Sequence, residues 1–147
     1  LDELILQGLT LATAESLTGG LIGARLTDIP GASRAFRGSI VAYQDDVKQG
    51  LLDVPDGPVV GEATVRALAV GACRKFNADV SVAVTGVAGP EHLGGEAPGT
   101  VWMATSLDGV VEVLRVTFPA DRAQVRQFTV ITVLNLLRLR LLARRRV

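Results

Sequence analysis

Few residues in this chain combine reactive chemistry with a setting in which to use it. Ser16 stands in Ala14-Glu15-Ser16-Leu17-Thr18-Gly19-Gly20, where an apolar run gives way to an amphipathic pattern. Two hydroxyls and two glycines at a strand-to-helix turn have two uses. They cap the helix, or they offer a nucleophile and backbone N–H groups to a ligand. Tyr43 and Lys48 follow a second apolar run, five residues apart. If Asp45 or Asp46 caps a short helix there, Lys48 falls in its first turn, against the positive end of the dipole. That placement, with partial burial, favours the neutral amine that a general base requires. The competing reading is a solvated lysine paired with Asp45 or Asp46. Tyr43 reads either as a buried ring with a satisfied hydroxyl or as a group on the strand-end edge where α/β proteins build sites.

Thr85-Gly86-Val87-Ala88-Gly89-Pro90 follows a buried-type strand and could expose successive N–H groups to a phosphate or an oxyanion, although such a loop is usually only a turn. Arg122 and Arg126 lie four positions apart at the start of the last helix, where cations cost a few tenths of a kcal/mol unless an anion shares the site. Other signatures are missing: no G-x-G-x-x-G, no G-K-[ST], no G-x-S-x-G and no Cys/His metal spacing. The one histidine, His92, lies in a Gly-rich loop that is a poor seat for a Ser-His-Asp base. A metal held by His92, Glu91 and Glu96 is outweighed by solvated loop charges, and no metal or cofactor is expected. Cys73 and Trp102 read as core residues.

The elements that must position these residues follow from periodicity. Leu9–Ala14 reads as the first strand and Thr18–Leu26 as a helix that Asp28-Ile29-Pro30-Gly31 ends. Ala32–Arg37 reads as a connector, Ser39–Tyr43 as a second strand, and residues 53–61 as a loop. Val65, Leu68, Ala69, Ala72, Cys73 and Phe76 mark one helical face, with Asn77 as its stop. Val80–Val84 is a buried strand, and Thr100–Ser106 with Val110–Phe118 forms a hairpin around Asp108-Gly109. Asp121 and Gln124 open a final helix of about two dozen residues with a capping-box pattern. This order predicts one α/β domain over residues 1–147, a mixed sheet with helices on both faces.

With 48 % hydrophobic residues in 147, the chain can bury a core, and its one cysteine suits a reducing cytoplasm. No signal peptide or span is read: the first ten residues carry Asp2 and Glu3, and Phe128–Leu137 is too short to cross a bilayer. The zero net charge hides arginines at 138, 140, 144, 145 and 146, a basic end that could bind nucleic acid but is better explained by the helix dipole. The last helix has more apolar surface than one sheet face covers, which points to a homodimer.

Together, Ala14–Gly20, Phe36-Arg37-Gly38 with Val41-Ala42-Tyr43 and Lys48, Ala83–Pro90, Gly99-Thr100-Val101-Trp102, and Asp121-Arg122 with Arg126 resemble the CinA C-terminal domain family over about residues 9–137. That family includes bacterial nicotinamide-nucleotide amidohydrolases. The resemblance implies a three-layer α/β/α fold and hydrolysis of the carboxamide of nicotinamide mononucleotide to nicotinate mononucleotide and ammonia, in pyridine nucleotide salvage. It implies Ser16 as nucleophile, Lys48 as its base, Tyr43 as a supporting hydroxyl and Arg122 as a site arginine. A Ser–Lys pair suits a chain without a seated histidine. Thr18, Gly19 and Gly20, or Thr85, Gly86 and Gly89, would then line an oxyanion hole or hold the 5′-phosphate, with Arg126 alongside, and Thr18 would also cap the helix. Three positions depart from the family: Leu17 replaces a common cysteine, Ala120 a glycine, and the 91–98 loop lacks a frequent lysine. The helix usual before the first strand is largely missing.

Two other functions compete with amide hydrolysis. One is a non-catalytic nucleotide-binding or interaction module of a competence- or damage-linked protein, which would bind a mononucleotide without turnover. The other is salt-dependent nucleic-acid binding through the arginine-rich end.

Overall fold

A computed structural model describes residues 1–145. The elements run α1 (Asp2–Leu6), β1 (Leu11–Glu15), α2 (Leu21–Thr27), β2 (Phe36–Val41), α3 (Asp45–Leu52), α4 (Glu62–Phe76), β3 (Val80–Gly86), β4 (Thr100–Leu107), β5 (Val110–Thr117) and α5 (Arg122–Arg144). The sheet order is β2-β1-β3-β4-β5. β2, β1 and β3 are parallel, and β4 and β5 complete the sheet antiparallel. The parallel strands end together at their carboxyl edge, the place where open α/β sheets build sites.

Alternation along the strands separates two cores. Leu11 on β1, Val80, Val82 and Val84 on β3, and Val101 and Met103 on β4 face α1, α2 and α5. Ala12, Ala14, Ala83 and Ala104 face α3 and α4 on the other side. The small alanines on that face let α4 lie close to the sheet, which gives three layers, α/β/α. Close approach recurs at Gly71, where a Cβ would stand 2.7 Å from the Leu52 carbonyl oxygen.

Several local expectations hold. Asn77 ends α4 in the left-handed conformation at φ 46°. Asp108 (φ 52°) and Gly109 (φ 75°) turn the β4–β5 hairpin. Asp121 caps α5, with a full capping box to Gln124.

Others need correction. β2 is Phe36–Val41 rather than Ser39–Tyr43: the connector residues Phe36 and Gly38 pair with Leu11 and Ala12 of β1. Pairing with an established neighbour, rather than the apolar run, sets the strand's limits. Tyr43 therefore lies two residues beyond the strand and is half exposed. Neither Asp45 nor Asp46 is the N-cap of α3; that position is Gln44, whose side chain makes no capping bond, although the Asp46 carboxylate accepts from the Val47 N–H in the first turn. α2 begins at Leu21 behind Gly20 at φ 100°, and Thr18 does not cap it by the usual route. A five-residue α1, with Leu4 buried, precedes β1.

The arginines near the end of α5 are engaged within the molecule. Arg138 donates to Asn135, and Arg140 pairs with Glu112 and donates to the carbonyls of Thr105 and Val110. Arg144 pairs with Asp108 and Arg145 with Glu3, while Arg146 lies outside the described residues. Phe128, Ile131 and Leu139 leave an exposed apolar stripe on the same helix. Among the described residues, no helix is long and apolar enough to cross a membrane.

Asp79 fastens the starts of β1 and β3. Its carboxylate accepts from the Thr10 hydroxyl at 2.7 Å and the Thr10 N–H at 2.8 Å, while its own N–H donates back to the hydroxyl. The hydroxyl bond first, then the N–H, holds the Asp79 carboxyl below its ordinary value. A depressed folded-state value stabilises the protein above the ordinary carboxylate range and is lost as the pH falls through the lowered value. In urea unfolding of wild type and Asp79→Ala from about pH 6 to about pH 2, the wild-type advantage is expected to shrink steadily towards acid.

Candidate active site

Ser16 directly follows β1, and the chain there is held on both sides. Its N–H donates to the Val84 carbonyl at 3.2 Å, and its carbonyl accepts from the Gly19 N–H at 3.0 Å. The residue that shapes this turn is one the sequence reading passed over. Glu15 is fully buried, and its Oε1 accepts from the Thr18 hydroxyl (2.8 Å), the Gly20 N–H (3.2 Å) and the Ile22 N–H (2.9 Å). Its Oε2 accepts from the Gly23 N–H (3.0 Å) and the Ser39 hydroxyl of β2 (2.9 Å). A carboxylate thus does the capping at the N-terminus of α2, and the Thr18 hydroxyl donates to it. An acid at the end of an apolar strand, just before a helix without its own cap, was the available signal.

This network removes two candidate donors. The N–H groups of Gly19 and Gly20 are already committed to Ser16 and Glu15, so they cannot hold an oxyanion or a phosphate. Among the described residues, the N–H groups of Leu17, Ala88 and Gly89 have no acceptor.

A cleft of about 400 Å³ opens at the carboxyl edge of the parallel strands. Ser16, Leu17, Lys48 and Thr85 form its buried floor. Tyr43, Arg122, His92 and Leu93 form an exposed rim. Gly86 and Gly89 also line it, whereas Thr18, Gly19, Gly20 and Arg126 stand behind its wall.

Lys48 combines a feature of each sequence alternative, burial and pairing with Asp45. Its residue exposure is 4 %, so it is not solvated, yet its Nζ donates to Asp45 at 3.0 Å. The Tyr43 hydroxyl accepts from Arg122 at 2.9 Å, and Arg122 also donates to the Gly89 carbonyl at 2.8 Å. Arg126 donates to the carbonyls of Leu17 (2.9 Å) and Thr18 (3.0 Å). The two arginines at the start of α5 therefore reach both loops of the site: Arg122 at the rim, Arg126 as a brace behind Ser16. The Thr85 hydroxyl is occupied, donating to Val59 in the 53–61 loop at 3.0 Å. Among the described residues, no cluster of His, Cys, Asp and Glu could hold a metal ion.

A doubly covered mixed sheet with a cleft at its parallel carboxyl edge defines an α/β domain. The chain belongs to the CinA C-terminal domain family, whose model matches residues 1–141. A CinA-like protein of Gemmatimonas aurantiaca is 41 % identical over 132 residues, which cover 86 % of this chain and 31 % of that protein. A Mycoplasma pneumoniae protein named "Protein MG115 homolog" is 39 % identical over 140 residues, 91 % of this chain and 89 % of its own length. The chain thus spans about a third of some curated relatives, such as the Gemmatimonas protein, and nearly all of the Mycoplasma one. Among solved structures, a competence-damaged protein (CinA) superfamily protein from Klebsiella pneumoniae superposes with a TM-score of 0.93 at 31 % identity, covering 97 % of this chain and 92 % of that one. Its counterpart from Enterobacter cloacae gives 0.92 at 34 % identity, covering 95 % and 86 %.

Removing the Glu15 carboxylate would leave three buried or half-buried N–H groups without an acceptor. Glu15→Ala is expected to cost about 3–5 kcal/mol in urea unfolding, as when one partner of a buried charged network is removed. Ser39→Ala, which removes one donor, is expected to cost about 1 kcal/mol.

Proposed function

We propose that the cleft hydrolyses the carboxamide of nicotinamide mononucleotide, with Ser16 as nucleophile and Lys48 as general base. One observation carries this reading: Ser16 and Lys48, 7 % and 4 % exposed, line the floor of a single cleft. An amide is a weak electrophile, and a serine hydroxyl attacks it only when a neighbouring base takes its proton.

In the first step Ser16 Oγ attacks the carboxamide carbon while Lys48 Nζ accepts the hydroxyl proton. Asp45 keeps one Nζ–H bond throughout and so aims the lysine lone pair; it acts as a positioning residue. The Leu17 N–H, directly after the nucleophile, is the donor for the developing oxyanion. The tetrahedral intermediate collapses by breaking its C–N bond, and Lys48 returns the proton to the leaving nitrogen, which departs as ammonia. A water then attacks the acyl ester, giving its proton to Lys48. Collapse breaks the ester C–O bond, the proton returns to Ser16 Oγ, and the product carboxylic acid leaves, losing its remaining proton to solvent.

The ribose 5′-phosphate extends towards the rim. There Arg122 supplies the charge, the free N–H groups of Ala88 and Gly89 supply directed donors, and Tyr43 holds the guanidinium in place.

Ammonia release would be measured across nicotinamide mononucleotide, nicotinamide riboside and nicotinamide. The mononucleotide is expected to be preferred. Ser16→Ala is expected to lower the rate by about 10³-fold or more, and Lys48→Ala by about 10²- to 10⁴-fold, with thermal unfolding still cooperative. Turnover that survives in Ser16→Ala would remove the nucleophile assignment. Arg122→Ala is expected to raise KM for the mononucleotide about tenfold.

A further inference from the structure

The segment between the strand-end loop and β4 is held from outside the cleft. Leu93 and Glu96 exchange backbone hydrogen bonds at 3.2 and 3.0 Å, closing a tight turn over Gly94 and Gly95. The Glu96 carboxylate then points away from the cleft. Its Oε1 accepts from the Trp102 indole N–H at 3.3 Å, and its Oε2 from Arg115 at 2.7 Å. Arg115 also stacks over the Trp102 ring, 5.7 Å from its centroid. Trp102 and Arg115 face each other across β4 and β5, so the anchor is the rigid sheet itself. The Arg115 bond first, then the indole bond, holds the Glu96 carboxyl below its ordinary value.

On its other side the same turn meets the cleft. Glu91, His92 and Leu93 line it and are exposed, and a Cβ at Gly94 would stand 3.7 Å from Val59 of the 53–61 loop. Val59 is itself held by Thr85. Two loops thus flank the cleft, and side chains tie them to the sheet: Thr85 for the 53–61 loop, and Glu96, through Trp102 and Arg115, for the turn at 93–96.

We infer that Glu96 is a positioning residue for substrate binding: clamped by Trp102 and Arg115, it fixes the turn that places Glu91, His92 and Leu93 against the ribose-phosphate portion of a mononucleotide. The inference rests on the proposed function, in which the carboxamide meets the buried floor and the rest of the molecule meets the rim. A device that acts only on the rim changes binding and leaves the chemical step alone.

Amide hydrogen exchange at Leu93 and Glu96 reads the clamp directly, because these two N–H groups close the turn. Affinity for nicotinamide mononucleotide is measured by calorimetry on a Ser16→Ala background, so that binding is read without turnover. Glu96→Ala and Arg115→Ala are each expected to speed exchange at both amides and to weaken binding about five- to tenfold. The double variant should be no weaker than either single one. Glu96→Gln, which keeps one acceptor oxygen for either Trp102 or Arg115, should recover part of the affinity. In the Ser16-containing protein, kcat should stay within about twofold of wild type. Unchanged exchange in Glu96→Ala, faster exchange with unchanged affinity, or a fall in kcat without a change in KM would each overturn the inference. Mononucleotide binding without ammonia release would remove the proposed reaction and leave this inference standing; no binding at all would remove both.

Discussion

The arrangement depends on one buried carboxylate. Glu15 ends β1 with no solvent around it, a position that costs several kcal/mol unless donors surround the charge. Here five donors do, and they come from the turn, from the first residues of α2 and from β2. Because both oxygens face donors, the chain from Thr18 to Gly23 has one way to satisfy them. The reach of Ser39 adds β2 to the same constraint, and the next residues along that strand lead to Tyr43, Asp45 and Lys48. A single charge therefore fixes the turn that presents Ser16 and ties it to the segment that presents Lys48.

The long helix α5 divides its work by polarity. At its start, Arg122 and Arg126 sit where the dipole disfavours cations, and each donates to backbone carbonyls: Gly89 for Arg122, which also reaches the Tyr43 hydroxyl, and Leu17 and Thr18 for Arg126. These carbonyls belong to the two strand-end loops, so the helix binds the loops to each other through its own first turns. At its other end, cations suit the dipole, and Arg140, Arg144 and Arg145 hold the β4–β5 hairpin and α1. Arg140, Arg144 and Arg145 are thus engaged within the domain.

Periodicity made much of this legible. The face of α4, the buried run of β3, the Asp-Gly hairpin and the capping box of α5 each announce themselves through residues a few positions apart, and each is where the pattern places it. What escaped was set by distant partners. β2 begins at Phe36 because β1 offers it a parallel edge, not because Phe36-Arg37-Gly38 looks like a strand. Glu15 drew no reading of its own from the sequence, since its donors at 18, 20, 22, 23 and 39 converge only when the turn has formed. The same holds for the candidate site. Ser16, Tyr43, Lys48, Thr85 and Arg122 could be named from local setting and share one cleft, but the commitment of the Gly19 and Gly20 N–H groups could not be read from their neighbours.

The contrast between floor and rim follows from how each part is anchored. Ser16 directly follows β1 and Thr85 lies on β3, both strands paired on each side, so their positions carry the precision of the sheet, and Lys48 is buried on α3. Tyr43, Arg122 and His92 are exposed, and the two hydrogen bonds of Arg122, to the Tyr43 hydroxyl and the Gly89 carbonyl, are open to competing water. Bond-making chemistry tolerates little misplacement, whereas recognition of a flexible, charged substrate gains from a rim that can adjust around it. Anchoring the rim loops by Thr85 on one side and by Glu96 on the other is an intermediate solution: the loops keep their glycines and their exposure, and the sheet limits how far they move.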